Sequence, residues 1–319
     1  MDVKQPTDRV DRLAGLRRFA IAITILNLLG HFWFGFEQSY AQPLVSLLAA
    51  YSTELILELI DAWAMHRPLR IKPTVRSVVD FFLSAHITGL AVAMLLYAND
   101  RLWVVAFGAS VAIASKAIFR FKVGNDYRHF FNPSNLGISV VLLTFPWVGV
   151  VQPYHFTENL GPVGTWVLPA VIICSGSMLN TLFTKRIPLA AAWVIAYILQ
   201  ALIRTAILGT PILAGLVPVT GVAFLLFTFY MVTDPATTPR ALWAQIAFGT
   251  SVAAVYTALV YCHVVFGMFF ALAFVCAVRG TYLYAMSHRT ATAPRTAALE
   301  VQAIPAAIPD AVAGVGSPA

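Results

Sequence analysis

Charge is scarce in this sequence. Only 11% of its 319 residues are Asp, Glu, Lys or Arg, whereas 59% are hydrophobic. A water-soluble domain of this length would need far more polar surface. Cysteine is scarce too: Cys174, Cys262 and Cys276 each fall inside an apolar run. No CxxC pair or His-x-x-His spacing accompanies them, which argues against a zinc site and against a disulfide framework. Walker A loops, G-x-G-x-x-G after a strand and G-x-S-x-G elbows are all missing, so the usual nucleotide-binding and hydrolase signatures do not apply.

Long apolar runs dominate instead. Ten stretches lie at 19–36, 44–65, 78–98, 102–119, 136–152, 163–183, 188–208, 214–232, 241–262 and 264–286. A bilayer asks for about 20 apolar residues per helical span. Lipid cannot satisfy free backbone groups, so helices are the expected element. The fourth and fifth runs are short for a span. The expected fold is therefore an all-α polytopic membrane protein with ten transmembrane helices embedded in a lipid bilayer. Ten divides into five and five, and an odd number per half makes any repeat an inverted one. Residues 1–18 read as a basic N-terminal arm, 19–286 as the transmembrane domain and 287–319 as a disordered tail. The tail is rich in Ala, Pro and Thr and lacks helical periodicity.

Charge placement tests the count. Seventeen of the 21 Lys and Arg residues lie in the two terminal segments and the even-numbered gaps, and only Arg101 lies in an odd-numbered gap. Lys116, Arg204 and Arg279 remain inside runs. Cytoplasmic loops collect Lys and Arg, so both termini are expected in the cytoplasm. The net charge of +7 follows from this bias and points to anionic headgroups rather than nucleic acid. A signal peptide at the first run is disfavoured, because the run is long for one and cleavage would break the alternation.

Ionisable residues inside a membrane are costly and mark functional candidates. Glu54, Glu58 and Asp61 share one face of the second helix, being four and three residues apart. Asp80 and His86 follow on the third. Glu54, Glu58, Asp61 and His86 form a candidate proton or ion path, and a buried ion-pair network is the structural alternative. Possible cationic partners are Lys116, Arg204 and Arg279, and Glu54, nearest mid-membrane, should be either protonated or paired with a cation.

Two gaps stand out. One carries the run from Gly124 through His129-Phe130-Phe131-Asn132-Pro133-Ser134-Asn135-Leu136-Gly137. The other carries Thr233-Asp234-Pro235-Ala236-Thr237-Thr238-Pro239-Arg240. Ser134 or Asn135 is placed to cap the fifth helix, and Thr237 or Thr238 the ninth. Free amides at such helix starts also suit an anionic or carbonyl-bearing ligand. The two segments should approach each other on the cytoplasmic side.

These segments, with Ser115-Lys116, Phe119-Arg120 and Met231-Val232-Thr233-Asp234-Pro235, resemble the signature of one membrane family. It contains the B subunit of sodium-pumping NADH:quinone reductase and the D subunit of the Rnf complex. The closer similarity is to its stand-alone bacterial branch, including UnbU-type proteins of enediyne gene clusters. The likeness covers residues 70–286 or so. It implies a bacterial inner-membrane protein of ten helices in two inverted halves, flavin binding and electron transfer with a separate redox partner. Candidate contacts to a flavin, FMN or riboflavin, are Lys116, Arg120, His129, Asn132, Ser134, Asn135, Thr233, Asp234 and Thr237. The Ser-Gly-Ala-Thr type motif that carries covalent FMN in relatives is missing; Ser175-Gly176-Ser177-Met178 lacks the Thr. The flavin would therefore be non-covalent. The competing expectation is a transporter or exporter of a small molecule or ion, with the acidic face of the second helix in the coupling role.

Overall fold

The computed structural model describes residues 6–123, 126–152 and 156–292. About 75% of the chain is helical. In chain order the helices are α1 (Pro6–Leu29), α2 (Ala41–Ala64), α3 (Val75–Leu95), α4 (Leu102–Ile118), α5 (Pro133–Thr144), α6 (Gly164–Leu179), α7 (Ile187–Leu208), α8 (Ile212–Leu216), α9 (Val222–Leu226), α10 (Leu242–Tyr261) and α11 (Gly267–Thr292). Short π turns extend α1 through Gly30–Phe34, α6 through Asn180–Thr184 and α9 through Phe227–Met231. Among the described residues, seven helices are long and apolar enough to cross a membrane. A bent pair, Ile212–Val219 with Val222–Met231, makes an eighth if it counts as one span; its halves meet at 65°. Pro218 and Gly221 occupy the bend, where a helix loses backbone hydrogen bonds.

The remaining two expected spans are short helices. α4 has 17 residues and α5 only 12. At 1.5 Å per residue α5 extends about 18 Å, well under the roughly 30 Å hydrocarbon core. The apolar run continues to Val151, but Pro146 disfavours helix at the residue before it. The chain turns there, and Gly149–Val150 pairs antiparallel with Leu96–Tyr97 at the end of α3. α5 is short and largely enclosed: Pro133, Ser134, Asn135, Gly137, Ile138, Ser139, Val141 and Leu142 are all inside.

The first half of the chain gathers around α3 and α4. α1 and α2 pack on α3, α2 also runs along α4, and α4 along α5. Small residues permit the closest approaches. A Cβ on Gly137 would sit 2.5 Å from the Gly108 carbonyl oxygen and 2.7 Å from the Ala112 Cβ. In the second half α7 runs along α10 and α10 along α11, and Gly249 brings α10 against the α7 backbone at Leu189 and Trp193. Trp193, Tyr197, Phe224, Phe227 and Tyr256 fill the space between with ring contacts. α11 returns to pack on α5 and joins the halves.

Large apolar side chains cover the outside. Phe32, Trp33, Leu44, Leu48, Trp63, Trp166, Ile195, Ile207 and Trp243 are all exposed. Water would penalise such continuous apolar cover, whereas lipid would not. Two of the three cysteines face outward: Cys174 and Cys262 are exposed, and only Cys276 is buried as a thiol in the core.

Helix starts differ in detail from the expected ones. α1 begins at Pro6, within the segment read as an arm. The N-cap of α5 is Asn132, not Ser134 or Asn135; its side chain accepts from the Asn135 amide, with Pro133 at the first helical position. α10 begins at Leu242 behind Ala241 with no side-chain cap. Thr237 and Thr238 turn back to Asp234 instead of capping it. The end of the expected tail, 293–319, lies outside the described residues, and α11 runs on to Thr292.

Candidate functional site

Two polar regions interrupt the apolar bundle. The first lines the side of α2 that carries its acids. Glu54, Glu58 and Asp61 do fall on one face, and all three meet cations. Lys116 Nζ lies 2.5 Å from Glu54 Oε2. Arg67 donates to both Glu58 oxygens at 2.7 and 2.9 Å and to Asp61 at 2.6 Å. Glu58, only 4% exposed at its side chain, also accepts from the Arg70 backbone amide. Arg70 and Arg120 complete the set around Asp61 at 3.2 and 3.8 Å. Four cations therefore face three carboxylates, and the repulsion expected among the acids is cancelled. Hydrogen bonds to Glu58 and then Asp61 hold the Arg67 guanidinium above its usual pKa.

Of the three cations offered to Glu54, its partner is Lys116, and neither Arg204 nor Arg279. The short α4 explains this. Ending at Ile118, it brings Lys116 in its last turn level with Glu54, roughly three turns inside α2. A cation in that turn also complements the helix dipole. Between these groups lies a cavity of about 380 Å³, lined by Glu54, Glu58, Asp61, Arg70, Lys116 and Arg120 among others.

His86 continues the polar line deeper along α3. Its Nε2 is 2.7 Å from Thr24 Oγ1 and its Nδ1 is 2.6 Å from the Tyr51 hydroxyl. The Thr24 hydroxyl already donates to the Ala20 carbonyl. Nε2 therefore donates to Thr24, and Nδ1 pairs with the Tyr51 hydroxyl, so the ring ties α1, α2 and α3 together. Ser84, 3.4 Å from Lys116 Nζ, bridges the gap toward Glu54.

The second region is the meeting of the two loop segments. After α4 the chain forms an antiparallel pair of strands, Arg120–Val123 with Asp126–His129. Arg120 lies over the Tyr127 ring at 4.8 Å, and His129 Nδ1 donates to the Phe131 carbonyl. Asn132 accepts from Ser134 and Asn135, and its Nδ2 reaches Asp234 Oδ2 at 3.5 Å, bridging 102 residues. Asp234 accepts from the Ala236 amide and the Thr237 hydroxyl, fixing the turn after Pro235. Asn135 donates to the Phe269 carbonyl of α11, and Thr233 to the Phe229 carbonyl.

The nine candidate flavin contacts thus divide. Asn132, Ser134, Asn135, Thr233, Asp234 and Thr237 come together in one hydrogen-bonded junction. His129 sits at its approach. Lys116 and Arg120 belong to the cavity beside α2. Sequence reasoning missed several participants. Arg67 and Arg70 served only as orientation markers, and Thr24 and Tyr51 look like ordinary span residues. Arg186 was overlooked too; it is 4% exposed and donates through Nε to Thr238 Oγ1 at 2.9 Å. Burial lowers its pKa, Arg240 adds to this, Asp234 opposes it, and Arg279 and Arg128 lower it further. Among the described residues no group of three or more His, Cys, Asp or Glu is arranged to hold a metal ion.

This sequence matches no protein-family model and no curated protein. The likeness to the reductase and Rnf subunits therefore rests on the quoted motifs alone.

Proposed function

We propose that this chain is an integral membrane electron-transfer protein that holds a non-covalent flavin, FMN or riboflavin, where its two polar loops meet and works with a separate redox partner. The observation that carries this reading is the Asn132–Asp234 contact, which joins the two motif-bearing loops 102 residues apart. Around it stand hydroxyl, amide and aromatic groups of the kinds that stack on and hydrogen-bond an isoalloxazine. The protein's share would be to position the ring and tune its electronics. Acid extraction of the purified full chain, followed by mass analysis, tests this. Release of about one flavin per chain supports it, and no released flavin sinks it.

The same reading takes the bundle as ten spans in two inverted halves, with both termini in the cytoplasm of a bacterial inner membrane. Parallel features support it. α1 and α6 both end in π turns closed by a left-handed residue, Gly35 and Lys185. The helix that follows each one, α2 or α7, then packs along α4 or α10. Inverted repeats of this kind recur in membrane proteins with sites at helix breaks.

The cavity beside α2 favours a second reading, a transporter of a small molecule or ion. Its Glu54–Lys116 pair lies inside the bundle and opens toward Asp61, Arg70 and Arg120. A Glu54→Gln variant that folds, keeps any flavin and loses solute flux would select this reading over the first.

A further inference from the structure

The loop junction carries more positive charge than its hydrogen bonds account for. Arg186 holds Thr238 through Nε at 2.9 Å and through Nη2, on the carbonyl, at 3.4 Å. Arg279, from α11, donates Nη1 to the neighbouring Thr237 carbonyl at 2.7 Å. Two guanidinium groups from separate elements therefore converge on consecutive residues of one loop. Among the described residues no carboxylate lies within 4.0 Å of Arg186, Arg240 or Arg279. Nη1 of Arg186 and Nε and Nη2 of Arg279 have no hydrogen-bond partner among those residues. Asp234 is the nearby acid, and its oxygens already accept from Ala236, Thr237 and Asn132.

Burying a guanidinium beside like charges is unfavourable unless an anion balances it. Planar, multiply donating guanidinium groups suit the tetrahedral oxygens of phosphate, which can accept two parallel bonds from one arginine. We propose that Arg186 and Arg279, with Arg240 at the rim, form a binding site for a phosphate-bearing anion. This inference does not depend on the flavin reading. Its ligand is a soluble phosphate ester or an anionic phospholipid headgroup, which present the same chemistry.

The test is thermal unfolding of the full chain, purified in non-ionic detergent and phosphate-free buffer. Inorganic phosphate is titrated against sodium chloride of equal ionic strength. A bound anion stabilises the folded state by mass action. The site predicts a saturable rise in the unfolding midpoint with phosphate that chloride does not give. Arg279→Gln removes a charged donor and should weaken the apparent phosphate affinity about tenfold or more. Arg240→Gln leaves the loop's hydrogen bonds intact and should weaken it several-fold, so the outcome stays readable if the Arg279 variant misfolds. Arg204→Gln, on α7 away from the junction, should respond as the parent does. Repeating the titration in nanodiscs identifies the source. A phosphate response kept in phosphatidylcholine but lost in phosphatidylglycerol assigns the site to a headgroup. A response kept in both assigns it to a soluble ester. Equal responses to phosphate and chloride, or parental phosphate affinity in Arg240→Gln and in any folded Arg279→Gln, would overturn the proposal.

Discussion

At the scale of single residues, the Glu54–Lys116 pair decides how the charge inside the bundle is tolerated. Its two members are 62 residues apart and partly buried. Glu54→Gln keeps the side-chain shape and strands the ammonium. The expected cost lies between that of an exposed pair and that of a fully buried one, about 1–3 kcal/mol. Lys116→Met in the Glu54→Gln background should recover most of it. Unfolding of the four proteins in detergent, analysed as a double-mutant cycle, checks this; simple additivity would show that the pair does not couple. Asn132 separates capping from loop contact. Asn132→Asp keeps an N-cap acceptor for the Asn135 amide but places a second carboxylate against Asp234. Asn132→Ser keeps the cap without that repulsion. The Asp variant should therefore be the less stable of the two, and the reverse order would place the loops apart.

At the scale of elements, helix packing gives the glycine of the Asn132–Gly137 motif a structural task. Gly137 lets α5 approach α4 at Gly108 so closely that any Cβ meets backbone. Gly137→Ala should cost about 1–3 kcal/mol through overpacking, read as a lowered unfolding midpoint. Gly161→Ala has open space at its Cβ and should change little. Much at this scale was legible in the sequence. The long runs became α1, α2, α3, α6, α7, α10 and α11 because apolar composition and length dominate such segments. The run at 136–152 is helical only as far as Thr144, because its apolar residues continue past Pro146 into a turn and a strand. Hydropathy does not distinguish lipid-facing helix from buried loop. The cap of α5 was misassigned, although Asn132 immediately before Pro133 carried the signal.

At the scale of the molecule, sequence placed Glu54, Glu58 and Asp61 on one face and expected the two loops to approach each other. It offered Lys116, Arg204 and Arg279 as cations for the acids without choosing among them, and it did not supply Arg67 or Arg186. Lys116, Arg67, Arg186 and Arg279 meet their contacts only through tertiary packing, and separations of 9 to 62 residues in the sequence carry no information on which faces turn together. The ten-span reading predicts its own test. Reporter fusions after residues 98, 119, 208 and 232 should read outside, inside, outside and inside; two reversed readings would require a different count. The central claim concerns the loop junction as a redox site. Its most direct measurement is the visible absorption spectrum of the intact, purified chain beside that of the Asn132→Asp variant. The account predicts flavin bands at about one flavin per chain in the parent, and weaker bands in a folded variant. A colourless parent protein, or bands untouched by the substitution, would contradict it.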